Sequence, residues 1–243
     1  MKIRSLELNP EYPKICNALL GESQEEIIQE AKILSDLGTD LFEWRADYYR
    51  DSGSPEAVED TLRLLRKAIK DRPLIVSARS REPGSAPSQR QLDLCRQAIR
   101  SGCVDLIELE LSLGEDLPPL LQYAQSQGVS TIVSSYNTRE TPSQESMVET
   151  LCRCESFQPA LSKIAVATNA KGDVLRLLLA MEEVEQRQGK RPRIVVGMGS
   201  KGNISRILPS FFGSVLTYAS GLTASLEGQI NVSDLRTILS FVR

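Results

Sequence analysis

The chain has 243 residues, of which 41% are hydrophobic and 25% charged, and its formal net charge is −3 at neutral pH. These values are typical of a soluble globular protein, and they argue against a nucleic-acid or acidic-membrane partner, which would require a concentrated basic surface. No histidine occurs in the sequence, so the side chain most often used for acid–base catalysis near neutral pH is missing.

Short apolar runs predict the strands of the fold, and they recur about every thirty residues. These runs are 14–20, 41–46, 73–79, 105–111, 130–136, 161–167, 193–199 and a weaker one at 215–220. Segments with helical apolar spacing lie between them, and they cover 23–38, 54–70, 88–102, 141–157, 171–189 and the C-terminal 231–243.

Several of the predicted helices carry start or stop signals. Ser23 followed by Glu26 has the spacing of a capping box, and Gly38 fits the end of the same helix. Ser54 and Pro55 are the preferred pair for a helix start. These signals favour an α/β fold with regularly alternating elements.

The alternation of eight strands with helices, without a linker-like tract, predicts that residues 1–243 form a single (β/α)8 TIM barrel domain. A doubly wound open sheet is the alternative. It is disfavoured because the segment after the first strand, LLGESQEE, holds one glycine instead of a GxGxxG phosphate loop.

The cysteines and the N-terminal segment bear on location. Five cysteines occur without a CxxC pair or a histidine, which disfavours a disulfide framework and a zinc site. A redox pair of Cys152 and Cys154 is the alternative, but CxC spacing on a helix points the thiols apart. The first residues lack the apolar run of a signal peptide, and no membrane-spanning run is found. We therefore predict a cytoplasmic protein with reduced thiols and no membrane partner.

Polar side chains gather where the predicted strands end, which is where TIM barrels carry their active sites. The candidates are Glu43, Arg45, Arg79, Glu108, Glu110, Tyr136, Arg206, Ser225 and Gln229. Several have an ordinary structural explanation when taken singly. Glu43 and Arg45 would suit an ion pair at the barrel mouth, and Arg206 would suit the surface of a helix.

Lys163 is different because it lies in the middle of the buried run LSKIAVA and should point into the barrel. Burial disfavours the ammonium form, and a neutral amine can attack a ketone to form an imine. The protonated imine acidifies the neighbouring C–H bond, which allows aldol cleavage, transaldol transfer or elimination of water. With arginines nearby to hold an anion, this chemistry predicts a Schiff-base lyase for a small, hydroxylated, anionic ketone.

The motifs also resemble those of type I 3-dehydroquinate dehydratases over essentially the whole chain. The most specific ones are EWR at 43–45, KIA at 163–165, ISR at 204–206 and SxxGQ at 225–229. The resemblance implies a (β/α)8 barrel, usually a homodimer, that needs no metal or other cofactor. It also implies the dehydration of 3-dehydroquinate to 3-dehydroshikimate through an imine, in the shikimate pathway.

The resemblance assigns roles by position. Lys163 would form the imine, and the loop GSKGN would be a mobile cover that excludes water. The carboxylate end of the substrate would be bound by Arg206, Ser225 and Gln229. The ring hydroxyls would be held by Glu43, Arg45 and Arg79.

One position departs from the family, which has a histidine as general base and acid in an S-x-H-D motif after the fifth strand. Here the stretch reads SSYN, so Tyr136 stands at the histidine and Asn137 at the aspartate. The loop after the third strand also differs, with Pro83 where the family tends to have a glutamate and Glu82 one place earlier. A positioned acid–base group contributes about 10²–10⁴-fold. Tyrosine, with an ordinary pKa of about 10, is a poor base unless a nearby cation lowers that value.

Three hypotheses follow. The favoured one is a dehydratase in which Tyr136, or a water molecule ordered by it, carries the proton. The second is an imine-forming enzyme that acts on a different hydroxylated keto acid. The third is a catalytically inactive homologue that binds a metabolite of the shikimate pathway.

Overall fold

A computed structural model describes residues 1–79, 87–221 and 229–242. Within these residues, eight strands alternate with eight α-helices. The strands are β1 (Lys14–Leu19), β2 (Leu41–Arg45), β3 (Leu74–Ser77), β4 (Leu106–Glu110), β5 (Ser130–Asn137), β6 (Leu161–Ala167), β7 (Arg193–Met198) and β8 (Leu216–Ala219). The helices are α1 (Gln24–Asp36), α2 (Pro55–Ile69), α3 (Gln89–Arg100), α4 (Leu117–Ser126), α5 (Gln144–Ser156), α6 (Lys171–Gln188), α7 (Asn203–Ile207) and α8 (Val232–Phe241).

The strands form a nearly closed parallel barrel in the order β8-β1-β2-β3-β4-β5-β6-β7. Between β7 and β8 the ring is joined by a bridge of Arg193 to Ser214, and the amide of Val215 donates to the carbonyl of Arg193 at 2.9 Å. The barrel confirms the predicted (β/α)8 fold and excludes the open doubly wound sheet. The assignment of residues 1–243 to one domain stays a prediction.

The capping signals agree with the structure, whereas one helix, α4, has no counterpart in the predicted pattern. The amide of Glu26 donates to Ser23 Oγ, and the Glu26 carboxylate accepts from the amide of Ser23, which completes the capping box. Helix α4 begins with prolines in its first turn, and α7 spans five residues. The apolar spacing of α4 was not recognised in the sequence, whereas the helix that carries Arg206 was expected.

Inward-facing side chains in the barrel change character along the strands. Near the strand starts they are apolar and almost fully buried, and they are Cys16, Leu41, Ile75, Leu106, Ile132, Leu161, Ile194 and Leu216. An N-terminal hairpin, residues 2–3 paired with 6–7, adds Ile3 and Leu8 to this cluster. The next inward positions, two residues along, include Glu43, Ser77, Glu108, Ser134, Lys163 and Tyr218. A polar layer therefore lies on an apolar floor, open towards the carboxyl ends of the strands.

A buried ion pair joins α5 to the start of β7 outside the barrel interior. Arg193 Nε lies 2.7 Å from Glu155 Oε1, and the two residues are only 2% and 5% exposed. Ser162 Oγ donates to the same carboxylate oxygen at 3.2 Å. The nearby Arg191 is 3.7 Å from the other oxygen, but its side chain is 47% exposed and is screened by solvent.

We expect Arg193→Met to lower the free energy of unfolding by about 3–5 kcal/mol, because it leaves the Glu155 carboxylate buried without its main partner. Urea denaturation followed by circular dichroism measures the change. The double variant Glu155→Leu/Arg193→Met removes both charges and should recover most of the loss. A single variant that loses less than about 1 kcal/mol would show that this ion pair does not stabilise the junction.

Candidate active site

Lys163 lies in the polar layer of the barrel, and its side chain is 2% exposed. Its Nζ donates to Glu108 Oε2 at 2.8 Å and to Tyr218 Oη at 2.9 Å, and it lies 3.6 Å from Glu43 Oε2. The side chain therefore points into the barrel, as the strand alternation predicted. Glu43 and Glu108 compensate the positive charge of Lys163. The sequence analysis had considered only the effect of burial on this charge.

Glu43 is the most heavily partnered carboxylate of the site. Its Oε1 accepts from Ser77 Oγ at 2.6 Å and from Arg79 Nη2 at 3.1 Å. Burial opposes ionisation, but the positive charges of Lys163 and Arg79 outweigh it and lower the pKa of Glu43 below its ordinary value. Glu43 is therefore a fixed negative charge at neutral pH.

Tyr136 occupies the barrel mouth and reaches down to the polar layer. Its hydroxyl donates to Glu108 Oε1 at 2.5 Å, so Glu108 bridges Tyr136 and Lys163 through its two oxygens. The guanidinium of Arg79 stacks on the phenol ring, 3.9 Å from its centroid.

The acidity of Tyr136 decides whether it can act as a free base. Burial raises the pKa of Tyr136 well above its ordinary value of 10; the charge of Arg79 opposes the shift, while Glu108 adds to it. The sequence analysis considered Tyr136 a poor base unless a nearby cation lowers its pKa. The cation is present, but its effect is smaller than that of burial and the carboxylates together.

Arg206 is 2% exposed, which corrects the alternative that placed it on a helix surface. Its Nη1 donates to the carbonyl of Tyr218 at 3.3 Å, whereas Nε and Nη2 have no hydrogen-bond partner among the described residues. Burial lowers the pKa of Arg206 to about 10, so the side chain is still charged at neutral pH. A buried guanidinium with free donors favours an anionic ligand.

A close backbone contact holds the segment that carries Arg206 against the end of β7. Gly202 packs on Gly197 so tightly that a Cβ at position 202 would lie 2.3 Å from the carbonyl carbon of Gly197. Ser205 reinforces the contact, because its Oγ accepts from the amide of Gly197 at 2.9 Å. Gly197 and Gly202 of the stretch GMGSKGN thus serve close packing in this structure.

Other predicted residues differ in how closely they approach the lysine. Arg45 lines the cavity, but its Nε and Nη2 donate to the two oxygens of Asp47 at 2.9 and 2.8 Å, so it does not pair with Glu43. Asn137 turns away, since its Oδ1 accepts from the amides of the following turn. Gln229 lines the cavity, whereas Ser225 lies outside the described residues, as do Glu82 and Pro83.

The cavity around Lys163 opens at the carboxyl ends of the strands. It is lined by Ala18, Glu43, Arg45, Arg79, Tyr136, Lys163, Ala165, Val196, Arg206, Tyr218 and Gln229. Cationic side chains outnumber carboxylates in this lining, which suits a small anionic and hydroxylated molecule.

Two contacts of Lys163 were missed by the sequence analysis. Tyr218 received no role because its strand was the weakest of the predicted set. Alternation with the inward-facing Leu216 is the signal that would have identified it. Glu108 was recognised only as a polar residue at a strand end, because its partners come from strands that are distant in sequence.

Two other kinds of feature are absent from the described residues. No helix among them is long and apolar enough to cross a membrane. No group of three His, Cys, Asp or Glu side chains in this part of the chain is placed to hold a metal ion.

Comparisons with known proteins agree on one family. The family model described as type I 3-dehydroquinase matches residues 15–243. The 3-dehydroquinate dehydratase of Salmonella typhimurium is 34% identical over 244 residues, which cover 99% of this chain and 97% of the relative.

Solved structures of similar proteins have the same fold. The crystal structure of type I 3-dehydroquinate dehydratase from Clostridium difficile with covalently modified comenic acid has a TM-score of 0.92 and 33% identity, covering 100% of this chain and 96% of that one. The 3-dehydroquinate dehydratase from Geobacillus kaustophilus gives a TM-score of 0.92 and 31% identity, over 100% and 95% of the two chains. These matches confirm the resemblance seen in the motifs: the chain belongs to the type I 3-dehydroquinase family.

Proposed function

We propose that the protein is a 3-dehydroquinate dehydratase of the shikimate pathway, which converts 3-dehydroquinate to 3-dehydroshikimate through an imine on Lys163. The observation that carries the proposal is a buried amine in a cavity that also presents a buried guanidinium with free donors. The substrate is inferred from the relatives, which are 3-dehydroquinate dehydratases, and the imine chemistry is inferred from the residues that line the cavity.

The surroundings of Lys163 support imine formation. The amine is held by Glu108 and Tyr218 at hydrogen-bond distance, so its position is defined before a ketone arrives. Glu108 can take the proton that the ammonium must lose before it attacks a carbonyl carbon. The covalently modified comenic acid in the Clostridium difficile relative supports a covalent route in this family.

The charge pattern supports recognition of a hydroxylated carboxylic acid. Arg206 would bind the carboxylate, since two of its nitrogens have no partner among the described residues. Glu43 and Arg79 would hold ring hydroxyls, because both side chains are already fixed by their mutual contact. Arg45, Ser225 and Gln229 would complete the substrate contacts.

An inactive binding homologue is the second candidate, and the tyrosine at the histidine position favours it. A decayed site would be under no constraint to keep a paired lysine at its centre. Here the amine, Glu108 and Tyr136 form one continuous set of hydrogen bonds. This continuity is the reason to place the dehydratase first.

The decisive experiment mixes the protein with 3-dehydroquinate, follows the enone absorbance, and then reduces the mixture with borohydride. Turnover and an adduct mapped to Lys163 by peptide mass spectrometry are expected. Lys163→Arg keeps the buried positive charge but cannot form the imine, so both signals should disappear while thermal unfolding changes little.

The other outcomes are equally informative. Saturable binding without an adduct would favour the inactive homologue. An adduct without turnover would favour imine chemistry on a different substrate. Turnover by Lys163→Arg would contradict the imine.

Location and assembly are part of the same proposal. The odd number of cysteines, without a paired motif, favours the cytoplasm.

We propose a homodimer that uses an apolar surface of α6 and the turn 209–212 packed against it. Leu175 and Leu179 lie one turn apart on α6 and are 61% and 55% exposed, and Phe211 in the turn is 70% exposed. Large apolar side chains that are exposed together are typical of subunit contacts.

Light scattering after size exclusion should give about twice the 26.9 kDa mass of one chain. We expect the double variant Leu175→Glu/Leu179→Glu to have the mass of a monomer, because it places two charges in an apolar subunit contact. Leu64→Glu changes an exposed leucine of α2 and should leave the mass unchanged. A wild-type monomer, or a charged double variant that stays dimeric, would contradict this interface.

A further inference from the structure

We propose that Glu108 and Tyr136 together replace the missing histidine as general base and acid. The Tyr136 hydroxyl exchanges a proton with the substrate, and the Glu108 carboxylate accepts and returns the proton of the tyrosine. The inference rests on the proposed function, because it names the acid–base unit of that reaction. It goes further by assigning to Glu108 a role that the motifs did not indicate.

The geometry of the two residues carries the proposal. Tyr136 Oη and Lys163 Nζ contact opposite oxygens of one carboxylate, at 2.5 and 2.8 Å. Glu108 is 3% exposed, whereas Tyr136 lies at the cavity wall, where a substrate bound to Lys163 would meet its hydroxyl. The phenol therefore lies between the substrate space and the carboxylate.

Neither residue suffices alone. Burial keeps the pKa of Tyr136 well above its ordinary value, so a free phenolate is not available near neutral pH. The phenol can accept a proton from the substrate only if it passes its own proton on at the same time. Glu108 is the acceptor already in contact, and a carboxylate accepts readily from a hydroxyl.

Tyr218 also contacts Lys163, yet it does not offer the same route. Its hydroxyl contacts the Cys16 thiol, whose pKa is raised well above its ordinary value by burial, so this neighbour is a protonated thiol and a poor proton acceptor. Tyr136 is the tyrosine of the two that donates to a carboxylate in the described contacts.

The surrounding charges hold the carboxylate in place. The titratable and charged groups that face the pair are Cys16 from β1, Glu43 from β2, Arg79 after β3, Glu110 on β4, Lys163 from β6 and Tyr218 from β8. The cations among them stabilise the Glu108 carboxylate, and Glu43 opposes a second negative charge nearby. Transfer of a proton to Glu108 relieves this opposition.

Proton and electron balance can be followed through the elimination. With the substrate carbonyl carbon joined to Lys163 Nζ as an iminium, the C–H bond next to that carbon breaks. The proton goes to Tyr136 Oη as the tyrosine proton passes to Glu108 Oε1, and the electron pair forms an enamine. The β C–O bond then breaks as the enamine electrons form the new C=C bond. The leaving oxygen takes a proton from Tyr136 Oη and departs as water. Tyr136 regains a proton from Glu108, which returns to its carboxylate form.

The test compares wild type with Tyr136→Phe, Glu108→Gln and the double variant. The kcat is measured by enone absorbance, the adduct by borohydride trapping, and the isotope effect with substrate deuterated at the carbon that loses its proton. Glu115→Gln is the control, because Glu115 follows the same strand and its side chain is exposed, away from the cavity.

Tyr136→Phe should lower kcat by about 10²–10⁴-fold, with a larger isotope effect and with the adduct still formed. Glu108→Gln should lower kcat by a similar factor. The double variant should be no slower than the worse single variant, because the two residues act as one unit. Glu115→Gln should stay within about threefold of wild type.

A pH profile separates a relay from a free phenolate. Because the pKa of Tyr136 is raised, the phenol stays protonated as the pH increases, so kcat should be flat between about pH 8 and 10. A tenfold increase per pH unit in this range would overturn the relay in favour of a phenolate base.

The remaining outcomes decide between the relay and the reaction itself. A Tyr136→Phe variant within threefold of wild type, or single losses that multiply in the double variant, would overturn the relay and leave the dehydratase intact. Absence of both adduct and turnover in wild type would overturn the proposed function first. An adduct on wild type without turnover would overturn the relay and the dehydration while retaining the imine.

Discussion

The pairing of a buried ammonium with two carboxylates is the constraint that organises this barrel. An unpaired cation inside an apolar ring of strands would cost several kcal/mol, so Lys163 requires partners from strands across the interior. Glu43 and Glu108 provide them at 3.6 and 2.8 Å. Each carboxylate in turn holds a further group, Ser77 and Arg79 on one side and Tyr136 on the other. Removal of Lys163 would leave the two buried carboxylates without their shared cation.

The arginines of the site differ in how many of their donors have partners, and this difference indicates where an anionic ligand binds. Arg45 is held at two points by Asp47, and Arg79 by Glu43 and the Tyr136 ring. Arg206 has only a backbone carbonyl on one nitrogen among the described contacts. Burial of a guanidinium in this state destabilises the empty protein, and an incoming carboxylate would repay that cost.

The barrel and the direction of Lys163 could be predicted from the sequence because both depend on local periodicity. Regular strand spacing predicted the barrel, and alternation within LSKIAVA predicted the inward lysine. The contacts of Tyr136 and Tyr218 could not be predicted in this way. They depend on register between strands far apart in the chain, as does the burial of Arg206, which follows from the contact of Gly202 with Gly197. The direction in which the pKa of Tyr136 shifts could not be predicted either, since a sequence suggests a neighbouring cation but not how deeply the phenol is buried.

The apolar floor beneath the polar layer has a further consequence. Leu41, Ile75, Leu106 and their neighbours are almost fully buried, and the N-terminal hairpin adds Ile3 and Leu8 below them. The described side chains that fill this end of the barrel are apolar, which disfavours entry of water there, so we expect exchange with bulk solvent through the mouth. A proton held on an inner carboxylate would then be insulated from the solvent pool for as long as the ligand fills the opening. Such insulation favours the return of the same proton to the same molecule over its replacement from outside.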